Sequence, residues 1–364
     1  MTEPSQLQVP ELDDTNEQEA LTREANEAFK SKVSFTKKLL IGIALFVIVV
    51  ISLCLGRYSC DPADLFGTIW HVVADPAGDW DNKLITAIFQ IRIPRVLCVV
   101  LVGAALSVAG ASYQGMFKNP LVSPDLLGAS AGASLGACIA ILLNTSSLGI
   151  QLFAFAFAMI AVGLAVWLTK IVKSDALLGL VLGGILVSTL FQSGTSIVKL
   201  VADADDKLPQ ITFWLMGTFA NITMNDFLLV IFPMLLGFAI LMTQRWNLNV
   251  LSFGEEEART LGINTARTRF LVILAATLIT ACAVSICGII GYVGLVVPHL
   301  ARAVVGPNYR VLLPTSMIIG SVFLLVVDNF SRLLFATEVP IGILTSIIGV
   351  PFFVFIYRRN LRGW

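Results

Sequence analysis

The feature that most constrains this chain is a series of apolar runs, each too long and too even to be the buried face of a soluble helix. Residues 148–168, 176–198 and 270–290 each run for about twenty positions with hardly a charge. A hydrocarbon core of roughly 30 Å takes about 20 apolar residues to cross as a helix. Lipid offers the backbone no hydrogen-bond partners, so a crossing segment must be helical or part of a closed barrel. Barrel strands alternate apolar and polar residues, and these runs do not alternate. Composition agrees, with 57% hydrophobic and only 13% charged residues, where soluble domains have about a quarter charged. The chain reads as an all-α polytopic membrane protein.

Taken in order, the apolar runs lie at 38–56, from about Arg92 to Gln114, and then at 126–143, 148–168, 176–198, 226–243, 270–290, 292–305, 312–335 and 341–357. That makes about ten spans in a transmembrane domain covering 38–364. Residues 1–37 form a polar, acidic tail expected to be disordered, with a short surface helix over 22–32. No apolar stretch near Met1 suggests a cleaved signal peptide. Residues 57–91 read as a long polar loop with Trp70 and Trp80, and 201–223 as an outer segment carrying Asp203, Asp205 and Asp206. Lys and Arg concentrate on one side, among them Lys118, Lys170, Lys173, Arg245, Arg267 and Arg358. The positive-inside bias then puts both termini in the cytoplasm.

One soluble island interrupts the second half. Residues 249–264, NVLSFGEEEARTLGIN, carry Glu255, Glu256, Glu257 and Arg259, with Arg245, Arg267 and Arg269 on the flanks. A simple turn between spans needs only a few polar residues, so a folded helix and a docking element for a soluble partner are expected within 245–269. The chain itself has no G-x-x-x-x-G-K-[ST] phosphate loop and no nucleophile–base set. Its six cysteines are dispersed, mostly within spans, and read as inert thiols; Cys54 and Cys60 could pair. Two histidines are too few for a histidine metal site, and zero net charge gives no bias toward nucleic acid. No catalytic residue, no metal site and no directly bound cofactor is expected.

Three constellations stand out. Gly128, Gly132 and Gly136 repeat every four residues, a small-residue stripe that admits a close helix neighbour or lines a path. Asp328 and Arg332 are one turn apart and can pair on one face, which lowers the cost of charge at membrane depth; a structural pair and a path-lining pair both fit. Arg92 and Arg95 flank Pro94 at the expected start of a span. They read as interface anchors or as cations that meet a partner from outside.

Several motifs together resemble the permease subunits of bacterial ABC importers for iron-siderophores, haem and cobalamin. They are Arg92-Ile-Pro-Arg95, Val102-Gly-Ala-Ala-Leu106, Gln114-Gly115, Asn119-Pro120-Leu121 and Leu126-Leu-Gly-Ala-Ser-Ala-Gly132. Further on come Leu251-Ser-Phe-Gly254-Glu255 with Ala258-Arg259 and Leu261-Gly262, then Gly291-Tyr-Val-Gly-Leu-Val-Val-Pro-His-Leu-Ala-Arg302, Leu312-Leu-Pro314, Val339-Pro-Ile-Gly342 and Gly349-Val-Pro-Phe352. The resemblance spans nearly everything from Leu40 to Arg359. It departs from the family pattern in the length of the acidic tail and at Asp125, where a small residue is common.

The resemblance implies a type II ABC importer permease of ten transmembrane helices in the bacterial cytoplasmic membrane, dimerising with a second permease subunit around a translocation path. Two cytoplasmic ABC ATPase subunits would carry ATP and Mg. An extracytoplasmic substrate-binding protein would dock on the outer face. The residues matching the family's coupling helices are Leu251, Gly254, Glu255, Glu256, Ala258, Arg259, Leu261 and Gly262. Those matching its outer docking arginines are Arg92, Arg95 and Arg332. The function implied is ATP-driven import of a metal chelate, an iron-siderophore foremost. An ion-coupled secondary transporter and a membrane scaffold that moves nothing are the rival readings.

Overall fold

Apolar continuity sets the architecture. The computed structural model describes residues 35–56, 61–74, 83–172, 176–335 and 337–360, and their regular structure is entirely helical. The expected tail helix over 22–32, Trp80 and the Cys54–Cys60 pairing lie outside the described residues.

Chain order gives α1 (Phe35–Cys54), α2 (Pro62–Ala74), α3 (Lys83–Met116), α4 (Ala129–Leu142), α5 (Ser147–Val172), α6 (Ala176–Val201) and α7 (Lys207–Leu215). Then follow α8 (Met224–Thr243), α9 (Arg245–Phe253), α10 (Glu255–Thr260), α11 (Thr265–Cys287), α12 (Val293–Val305), α13 (Tyr309–Leu333) and α14 (Ile341–Asn360). Helices α3, α5, α6, α8, α11 and α13 are each long and apolar enough to cross a membrane. The shorter apolar helices α1, α4, α12 and α14 bring the candidate spans to the ten expected.

Three expectations are corrected. Residues 57–91 are not simply a loop: α2 forms there, with Asp64 in its first turn, where the positive end of the helix dipole favours an acid. Its Leu65 packs against Ile88 of α3, and both are fully buried. Helix α3 starts at Lys83, before the expected Arg92, and its segment Ala87–Arg92 is wound as a π-helix. Polar residues scattered through 57–91 hide this helix, because its burial is against α1 and α2 rather than lipid. The soluble island is also two helices rather than one, α9 and α10, divided at Gly254.

Helix α3 is the axis of the bundle. Its apolar window is 83% buried, against 28% for α5 and for α8. Between lipid-embedded helices there is little hydrophobic drive, so association relies on close packing and interhelical hydrogen bonds. Both are present. A Cβ on Gly110 would collide with the carbonyl of Gly294 in α12. Ser107 donates to the Ser316 carbonyl of α13 at 2.8 Å, and Ser321 of α13 donates back to the Val100 carbonyl at 2.7 Å. Tyr113 and Thr277 join α3 to α11 at 3.2 Å.

Candidate functional site

Charged and polar side chains gather at the two ends of this bundle. At one end, α1, the start of α3, the end of α13 and the link to α14 enclose Arg92, Arg95, Asp328, Arg332 and Glu338. Arg95 uses its whole fork: Nε and Nη2 donate to Asp328 Oδ1 at 3.0 and 2.8 Å. Its Nη1 donates to both oxygens of Glu338 at 3.0 and 2.9 Å. Arg332 Nε lies 3.1 Å from Asp328 Oδ2, the pairing that their spacing of one turn suggested. Arg332 also donates to the carbonyls of Ser52 and Leu55 and to Asn329 Oδ1. Arg92 donates to the carbonyls of Leu53 and Cys54 at 2.7 and 3.1 Å.

All of these charges but Glu338 are buried. Arg95 is 4% exposed and Asp328 not at all. Removing charges from water is costly, and a buried pair holds only where good geometry and extra hydrogen bonds offset it. Here two cations bracket Asp328, and backbone carbonyls at the end of α1, where the helix dipole is negative, take up Arg92 and Arg332. A cavity of about 260 Å³ opens beside the cluster, lined by Arg92, Arg95, Arg332 and Glu338 among others.

At the opposite end, α9 and α10 form a small element with its own core. Val250, Leu251 and Ala258 are buried, with Trp246, Leu261 and Ile263 packed on them. Of the residues singled out in sequence, Leu251, Gly254 and Ala258 thus face inward. Glu256, Glu257, Arg259 and Gly262 are exposed. Glu255 is half-buried and pairs with Arg269 of α11, while Arg259 Nη2 stands 3.7 Å from its other oxygen. Gly262 closes α10 with φ +76°, a left-handed turn that favours glycine.

Asn249 ties this element to the bundle. Fully buried, it donates to Asn308 Oδ1 at 3.0 Å and accepts from the Tyr309 amide at 2.7 Å. Asn308 is the residue that caps α13, accepting from the Arg310 amide at 2.9 Å. Arg310 in turn lies over the Trp246 ring, 4.5 Å from its centroid. Sequence reasoning missed both Asn249 and Glu338. Their partners lie 59 and 243 residues away, and no local pattern announces them.

The glycine stripe divides. Gly132 and Gly136 press on α5, where a Cβ would meet the carbonyls of Phe157 and Phe153. Gly128 does something else: at φ +85° it joins the 3-10 turn Pro124–Leu127 to α4. Asp125 in that turn accepts a hydrogen bond from the Ser130 hydroxyl.

A bundle of ten apolar helices, with a charged cluster at one end and a tethered polar element at the other, defines a multi-pass membrane protein. The comparisons place it further. The profile of the FecCD transport family matches residues 44–359, and the chain belongs to that family, a permease of an ABC importer. It is 39% identical over 329 residues to the molybdate import system permease protein MolB of Haemophilus influenzae, covering 90% of this chain and 97% of that one. To the hemin transport system permease protein HmuU of Yersinia pestis it is 34% identical over 338 residues, covering 89% and 96%. Among solved structures, a metal-chelate type ABC transporter in an inward-facing conformation superposes with a TM-score of 0.78 at 38% identity, covering 88% of this chain and 98% of that one.

Proposed function

We propose that this chain is the transmembrane permease subunit of an ATP-driven importer that moves a metal chelate, an iron-siderophore foremost, into the cytoplasm by alternating access. In this reading α9 and α10 lie on the cytoplasmic side with both termini, as the distribution of basic residues suggests. Two ABC ATPase subunits, which carry ATP and Mg, contact Glu256, Glu257, Arg259 and Gly262. The observation that carries the proposal is the way the exposed element is tied in: Asn249 fastens it to the start of α13, and Glu255 fastens it to α11 through Arg269. A push on α10 therefore reaches α11 through Glu255, and α13 by way of α9 and Asn249. Coupling of this kind needs contacts that differ between the two states.

The arginine end then faces outward, and Arg92, Arg95 and Arg332 serve the docking of an extracytoplasmic substrate-binding protein. A second permease subunit completes the path. Its support is the outer face of α6, where Thr189, Gln192, Ser193 and Ser196 are exposed alongside Leu182, Leu186 and Leu190. The three hydroxyls bond their own helix at 2.9–3.0 Å. A Gln side chain facing lipid has no such remedy and is better placed against a second copy or a wet path. Such a path carries few charges, so substrate choice rests with the binding protein. The likeness to MolB favours a second substrate reading, a molybdenum oxyanion.

The test is reconstitution. Purified complex in proteoliposomes should take up substrate on ATP addition, and charge reversal by Glu256→Lys with Arg259→Glu should abolish both uptake and ATPase co-purification. Uptake driven by an ion gradient without the ATPase would instead establish the secondary transporter. A reporter fused after Arg359 should be cytoplasmic; an external reporter would invert the assignment of the two ends. Transport assays with iron-siderophore, haem and molybdate decide between the substrate readings.

A further inference from the structure

The two acids of the arginine cluster are not equivalent. Asp328 lies on α13, is fully buried, and is held by Arg95 on one side and Arg332 on the other. Glu338 lies in the non-helical link between α13 and α14 and is 29% exposed, the more open of the two acids paired with Arg95 among the described residues. It occupies one edge of the Arg95 fork, the Nη1 edge, with both its oxygens. Arg95 and Glu338 both line the 260 Å³ cavity, although Arg95 itself is 4% exposed. The link is fastened just past Glu338, where Ser331 and Val339 exchange two hydrogen bonds. These bonds hold the backbone beside Glu338 and leave its side chain as the variable part of the site.

We propose that Glu338 is a built-in stand-in for a carboxylate of the partner. The Nη1 edge of Arg95 is a carboxylate site filled by Glu338 in the undocked permease and by an Asp or Glu of the binding protein in the docked one. The proposal rests on the docking reading of the arginine end and specifies its chemistry. A buried guanidinium stripped of a partner is strongly disfavoured, so the site does not open by itself. Replacing one carboxylate by another keeps both the charge and the bidentate geometry that an Arg fork prefers, so the exchange proceeds only with an incoming acid. Partners without an acid at that position are rejected because they leave the Nη1 edge of Arg95 unpaired. Asp328 and Arg332, each held by further contacts, stay in place. Glu338 thus lowers docking affinity by keeping the competent form a minor fraction, and in return it keeps Arg95 paired between encounters.

The experiment uses the full permease with its ATPase subunits in nanodiscs. The probe is the binding protein that restores uptake with this permease in vesicles, titrated by surface plasmon resonance at low and high salt. Glu338→Gln, nearly isosteric, should tighten docking on the order of tenfold, the occupancy penalty being removed. Glu338→Asp keeps the charge and should stay near wild type. Arg92→Glu should weaken docking, most at low salt. If Glu338→Gln leaves affinity unchanged, weakens it or prevents folding while Arg92→Glu still weakens docking, Glu338 is a permanent structural partner and the stand-in is overturned, with the docking reading intact. If Arg92→Glu and Arg95→Glu both leave affinity unchanged, the docking reading falls and takes this proposal with it.

Discussion

The two ends of the molecule use charge in opposite ways. At the arginine end, Arg92, Arg95, Asp328 and Arg332 are buried and locked to one another or to backbone carbonyls. At the α9–α10 end, Glu256, Glu257 and Arg259 stand in solvent, and only Glu255 and Arg269 are drawn inward. Buried charge fixes geometry but is hard to release, because whatever leaves must be replaced. Exposed charge contributes little to stability but is free to meet a partner. Both ends are joined by one helix: α13 begins at the Asn249–Asn308 junction and ends at Asp328 and Arg332. At 1.5 Å per residue its 25 residues span about 37 Å. A displacement at one end is thus presented to the other through one continuous helix.

The sharpest way to break this contrast is to remove the acid on which the arginine end converges. Asp328→Ala leaves Arg95 and Arg332 facing each other at the end of α13. Breaking a buried pair by deleting one partner costs about 3–5 kcal/mol. The variant should melt far below wild type in detergent or fail to accumulate in membranes. A melting temperature close to wild type would mean that water reaches this cluster and that its burial is not as described. No single change among Glu256, Glu257 and Arg259 should approach that loss.

Next in size is the junction that links the two ends. Asn249→Ala takes from the buried Tyr309 amide its side-chain acceptor. Leaving such a donor unsatisfied costs about 1–3 kcal/mol. The loss should be local, so amide exchange should quicken in α9 and the first turn of α13 while the arginine end stays protected. Uniform acceleration across the chain would show that Asn249 supports the whole bundle rather than one joint.

These residues also show what was legible in the sequence. The spans were, because hydrophobic continuity is a local signal; α5, α6, α8, α11 and α13 fall within a few residues of their expected limits. So was the Asp328–Arg332 pair, since residues four apart share a helix face. The start of α3 and the existence of α2 were not, because Leu65 and Ile88 bury each other within a polar stretch. The soluble element was legible as an island, but its division at Gly254 and the inward turn of Leu251 and Ala258 emerge only when two short helices pack together. Least legible was the sharing of Arg95 between Asp328 and Glu338. It joins three segments distant in the chain, and nothing at Arg92-Ile-Pro-Arg95 indicates that the second arginine is already occupied.

The smallest effect on stability should come where the effect on function is large. Arg259 is 68% exposed and stands 3.7 Å from Glu255, an i,i+4 pair on a short surface helix. Such pairs contribute about 0–1 kcal/mol, and Glu255 keeps Arg269 when Arg259 is gone. Arg259→Ala should therefore leave thermal stability within roughly 0.5 kcal/mol of wild type, as for most surface changes. Glu255→Gln removes the charge of an acid paired with Arg269 and should cost more, since Arg269 is only 13% exposed. The two substitutions, four residues apart, separate the inward and outward sides of α10. Measured together by thermal unfolding and ATP-driven uptake, Arg259→Ala should lose transport with its fold intact, whereas Glu255→Gln should lose both in proportion. Equal stability losses would show that α10 has no outward side reserved for a partner, and the contrast between the two ends would then rest on the arginine cluster alone.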